Sequence, residues 1–130
     1  MSNFINWQDQ RALETVASGT GSYFDEINGS ITAEERHELG NEPRPGVPLC
    51  FLCWLARDRA LPTRRAIAAD LPGFVVANLG RCTPTSDVTR AAAHGALHVR
   101  CSTWHRTVIE KLGLSRVQWP DIVPQGAVVG

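Results

Sequence analysis

Residues 96–112 (Ala-Leu-His-Val-Arg-Cys-Ser-Thr-Trp-His-Arg-Thr-Val-Ile-Glu-Lys-Leu) change their hydrophobic period in mid-segment, and no other stretch limits the fold as strongly. Leu97, Val99 and Cys101 alternate with His98, Arg100 and Ser102, the two-residue period of a half-buried strand. Trp104, Val108, Ile109 and Leu112 then recur at helical steps, with Ser102 or Thr103 as N-cap and Gly113 as the stop. The pattern predicts a strand over 96–101, a tight joint, and a helix over about 103–112. At that joint Cys101 and His105 lie close enough to grip one ion.

A chain of 130 residues with 43% apolar content supports one core. No window of about 18 uncharged apolar residues exists, which excludes a membrane-spanning helix. The N-terminal residues lack the basic-then-apolar order of a secretory signal, so the expected location is the cytoplasm. There the four cysteines serve as reduced thiols or metal ligands rather than as a disulfide frame.

The zero net charge conceals a split. Residues 1–47 hold eight acids against Arg11, Arg36 and Arg44, a net charge of −5, so the remainder carries +5. An acidic helical arm (1–47) thus precedes a basic Cys/His body (48–130), within one compact domain overall. Twelve of the thirteen basic residues are arginine, the better fork for phosphate or carboxylate. A nucleic-acid surface is one reading of this asymmetry. Simple attraction between arm and body is the other.

In the arm, residues 6–17 fit a short amphipathic helix that 18–22 ends. Thr32 and Glu35 form a capping box for a second helix stopping at Leu39 and Gly40. Three prolines in 41–48 make a hinge. Residues 49–55 are all apolar or cysteine, which marks them as buried. In 65–79 the β-rich Phe74-Val-Val favours a hairpin turning at 71–73. The alternative is a helix-turn-helix capped by Thr63, which would make the fold mainly α. Ser86 can cap a short helix over 87–94, and Val117 with Trp119 can add an edge strand.

The chemistry-bearing pattern is two ligand pairs. Cys50 and Cys53 form the one Cys-x-x-Cys, and Cys101 with His105 the second pair, a donor set suited to tetrahedral structural Zn2+. On one continuous helix over 86–112, His94, His98, Cys101 and His105 would also share a face, which makes His98 the rival ligand. Cys82 is a further candidate. The opposing reading is that buried cysteines and helical histidines are ordinary core residues.

Knuckle, hairpin and a helix carrying the second pair resemble, in their order, treble-clef zinc modules. Residues 50–112 also resemble the first half of histidine-triad and hexose-1-phosphate uridylyltransferase proteins. The elements shared are the Cys-x-x-Cys, a strand-turn-strand ending in Phe-Val-Val-Ala-Asn, and Gly95-Ala-Leu-His-Val-Arg-Cys-Ser-Thr-Trp-His105. That resemblance implies zinc ligation by Cys50, Cys53 and His105. The family's nucleophilic His-x-His motif has no counterpart here, since no histidine follows His105.

Catalytic patterns are otherwise sparse. No Gly-rich phosphate loop or nucleophile elbow occurs, and the Asp-His dipeptide of an HNH-type nuclease is missing. A redox Cys50–Cys53 pair would need a lowered thiol pKa, which the apolar run opposes. The expectation is therefore an α+β domain, with a small antiparallel sheet from a hairpin over about 65–79 and the 96–101 strand. Its function is that of a non-catalytic zinc-stabilised module, meeting nucleic acid or a protein through Arg57, Arg59, Arg64, Arg65, Arg81, Arg100 and Arg106. The alternative is a divergent nucleotide hydrolase or transferase, or an HNH-like nuclease, using His94 or His98.

Overall fold

The computed structural model describes residues 5–57, 61 and 66–129. The protein is α+β, as the period change at 96–112 implies. Among the described residues no helix is long and apolar enough to cross a membrane.

The acidic segment contributes a 3-10 turn (Arg11–Leu13), α1 (Tyr23–Ser30) and α2 (Ala33–Glu38). Both α-helices open with capping boxes, Ser22 with Asp25 and Thr32 with Glu35, which satisfy otherwise orphaned N–H groups. The helix read over 6–17 shrinks to the 3-10 turn. Its capping position is taken up locally: the Asn6 side chain accepts from Gln8 N–H and Asp9 from Arg11 N–H.

Helix α3 (Pro48–Arg57) begins on a proline, whose missing N–H costs nothing there. Leu49, Cys50, Leu52 and Cys53 form its buried stripe, while Phe51, Trp54 and Leu55 are half-buried. It packs against α1 and the 3-10 turn. Arm and body share one core, in which Ala12, Ile27 and Leu39 cluster with Leu49, Leu97 and Val108. Charge follows packing: Glu26 pairs with Arg57, Glu14 accepts from Trp54 Nε1 at 2.8 Å, and Glu35 meets Lys111 at 2.6 Å.

The hairpin expected over 65–79 does not form. β1 (Ala66–Ile67) pairs in parallel with β5 (Val117–Gln118), and residues 71–80 are helix α4 (Leu71–Gly80). The start signal is Asp70, whose carboxylate accepts from Gly73 N–H at 2.7 Å, with Pro72 in the first turn. Cap and proline fix the helix despite the β-rich Phe74-Val-Val.

β2 (Thr85–Ser86) pairs in parallel with β6 (Asp121–Ile122). Asp87, not Ser86, caps α5 (Val88–Ala93). β3 (Leu97–His98) pairs antiparallel with β4 (Thr103–Trp104), so the expected 96–101 strand is shorter and turns back on itself. α6 (Arg106–Lys111) follows directly, capped by His105 rather than by Ser102 or Thr103.

Candidate metal centre

The last residue of α2 meets the β3–β4 hairpin through backbone pairing. Leu39 bridges His98 antiparallel, Val99 N–H donates to Glu38 C=O at 2.8 Å, and Gly40 N–H donates to Leu97 C=O at 3.0 Å. A Cβ on Gly40 would lie 3.0 Å from Ala92 Cβ and 3.3 Å from Val99 Cγ1, so only glycine sits there without displacing its neighbours. This short pairing brings the Glu38 carboxylate to the foot of the hairpin, beside His98 and His105.

Glu38 Oε2 lies 3.1 Å from His105 Nε2, and Glu38 Oε1 lies 3.8 Å from His98 Nε2. The two imidazoles stack at 5.0 Å between centroids and 25° between planes. One donor atom from each of the three residues falls within 4.8 Å of the others, the one such group of three or more Cys, His, Asp or Glu among the described residues. His105 is 5% exposed, whereas Glu38 and His98 retain 22% each and face solvent. Two imidazoles and a carboxylate form a donor set that suits Zn2+ and neighbouring divalent transition metals.

Hydrogen bonding fixes the proton on His105. Val108 N–H can only donate, and it donates to Nδ1 at 3.4 Å, so Nε2 carries the proton and donates it to Glu38. His98 Nδ1 is buried without a hydrogen-bond partner among the described residues, a condition that native structures tolerate in few groups.

The ligand set read from the sequence is dispersed. Cys50 and Cys53 lie wholly buried in α3 among apolar side chains, Cys101 is exposed in the hairpin turn, and His105 turns to Glu38 instead. No set containing these cysteines gathers among the described residues, because the Cys-x-x-Cys spacing places both thiols on the inward stripe of a helix. Burial pushes the Cys50 thiol up to about 12 and raises that of Cys53 further, with repulsion from Cys50 adding to it. Neither is a ready thiolate for redox chemistry. Cys82 is half-buried and belongs to no such group.

His94 is a core residue: its Nδ1–H donates to the Arg90 carbonyl at 2.8 Å, and its ring sits edge-on to Trp104 and Trp119. Of the arginines, Arg57 is engaged by Glu26, while Arg81, Arg100 and Arg106 are exposed on three different segments. Arg59, Arg64 and Arg65 lie outside the described residues. Sequence reading found His105 and its rival His98 but missed Glu38, which sits 60 positions before His98 and 67 before His105 and carries no local signal beyond ending a capped helix.

Comparison of the chain with protein-family models, with curated proteins and with solved structures yields no match.

Proposed function

We propose that this protein is a small metal-binding module in which Glu38, His98 and His105 take up one divalent transition-metal ion, Zn2+ foremost. The observation that supports the reading is the convergence of those three donors from two distant parts of the chain. His105 would offer Nε2 to the ion once its ring proton, now donated to Glu38, has moved to Nδ1. Ligation through Nε2 requires the Nδ1–H tautomer, so the long contact from Val108 N–H is given up. Loss of that cap sets a cost of about 1 kcal/mol against the metal's affinity. The gain is a cross-link from α2 to the hairpin and α6, so the role is structural, and metal binding contributes directly to folding free energy.

A second reading rests on the Val108 contact itself. The trio is then a hydrogen-bonded clamp that joins the acidic segment to the hairpin with no ion. Elemental analysis of purified protein after exhaustive dialysis separates the two. The metal reading expects close to one zinc per chain, lost in His98→Ala while the far-ultraviolet circular dichroism is retained. Metal-free protein that zinc does not stabilise against heat supports the clamp.

A further inference from the structure

Helix α4 turns little of itself inward. Gly73 and Ala77 are its buried residues, while Leu71, Phe74, Val75, Val76 and Leu79 stand 42–83% exposed. Side chains of this size leave on the order of 500 Å2 of contiguous apolar surface, at the upper end of what single chains usually expose. Leu71, the adjacent Phe74 and Val75, and Leu79 recur at three- and four-residue spacings along one side of the helix. No acidic or basic residue occurs between Leu71 and Gly80.

Among the described residues the helix is flanked by charge at its two ends. At the N-terminal end Asp70 and Asp87 share Arg90, a trio with one net negative charge. At the C-terminal end Arg81 is exposed, in the left-handed conformation that terminates the helix. Two copies of α4 packed antiparallel about a two-fold axis would set each negative end beside the other copy's Arg81. They would oppose Leu71 to Leu79 and bring the Phe74 and Val75 pairs together at the centre. An isologous contact needs such a self-complementary patch. Two faces of this size remove roughly 1,000 Å2 from water, the lower bound for a specific interface. A membrane surface fits less well, because interfacial helices carry lysine or arginine along the face opposite the apolar one, and here that face is Gly73 and Ala77 against the protein.

We infer that α4 is a homodimer interface and that its partner is a second copy of this chain. The test is sedimentation equilibrium of the full chain from about 1 to 300 µM, with Leu79→Glu and Arg81→Asp as variants. Leu79 is 83% exposed and Asp tolerates the left-handed conformation, so both variants keep the fold, which circular dichroism verifies. The expected result is a monomer–dimer equilibrium in the native chain. Leu79→Glu abolishes it, and Arg81→Asp raises the dissociation constant about tenfold through like-charge apposition. A native chain that stays monomeric throughout overturns the inference. So does a dimer indifferent to both variants, or a monomer that instead floats with vesicles of phosphatidylcholine and phosphatidylserine.

Discussion

His105 Nε2 and Glu38 Oε2 meet at 3.1 Å although 67 positions separate them, and their bond joins the acidic segment to the helix that His105 caps. The imidazole is nearly excluded from water and the carboxylate lies at the edge. Removing the carboxylate strands a buried donor, whose desolvation is no longer offset. Glu38→Ala is expected to destabilise the metal-free protein by about 1–3 kcal/mol in urea denaturation. Glu38→Gln, which can still accept from Nε2–H, should lose less. Equal stability of all three proteins would contradict this role.

The four cysteines should divide by reactivity. Cys50 and Cys53 are wholly buried with raised thiol pKa values, whereas Cys101 is exposed and Cys82 partly so. Iodoacetamide at pH 8 is expected to label Cys101 fastest and Cys82 next, and to reach the α3 pair only after denaturation. Peptide mapping reads this directly. Cys50→Ala should lower stability by about 1 kcal/mol through the small void it opens, and should leave zinc uptake unchanged.

Acid should weaken the protein through Glu35. Its ammonium partner Lys111 at 2.6 Å, followed by the Thr32 N–H, holds the carboxyl below its ordinary value of 4.5. A carboxyl lowered in the folded state contributes stability that is complete above the ordinary value and lost as pH falls through the folded one. Stability should therefore decline from about pH 4.5 downward, and Glu35→Gln should flatten part of that slope while lowering stability at neutral pH. An unchanged slope in the variant would remove Glu35 as the cause.

Trp104 ties the hairpin to the C-terminal segment. Its indole N–H donates to the Pro120 carbonyl at 2.6 Å, and its ring lies 4.8 Å from that of Trp119. Trp104→Phe keeps most of the apolar area but leaves a buried carbonyl without its donor, at about 1–2 kcal/mol. Near-ultraviolet circular dichroism should lose intensity, since coupled indoles contribute to it. A variant as stable as the parent would show the bond to be dispensable.

What could be read from sequence was local. The Thr32–Glu35 capping box sits where its spacing put it, and a strand at Leu97–His98 precedes a helix at Arg106–Lys111 because hydrophobic period reports burial directly, although a second strand, Thr103–Trp104, occupies what reads as the first turn of that helix. Phe74-Val-Val was misleading because residue preference for strands is weak. The decisive signals, the Asp70 cap and Pro72, act four and two residues before Phe74. The parallel pairings of 66–67 with 117–118 and of 85–86 with 121–122 leave no mark on short segments. At the site, the histidines were visible as residue types. Glu38 was hidden among eight acids of the N-terminal segment, and only the Leu39–His98 bridge selects it.

Isothermal titration of the metal-free protein with zinc chloride at neutral pH tests the central claim most directly, run on the native chain and on Glu38→Gln, His98→Ala and Cys53→Ala. One equivalent should bind the native chain and Cys53→Ala, and binding to Glu38→Gln and His98→Ala should weaken by more than about tenfold, since loss of even an outer-shell partner costs a metal site about 10- to 100-fold. Absence of zinc binding by the native chain, or binding that Cys53→Ala alone abolishes, would contradict a centre built from Glu38, His98 and His105.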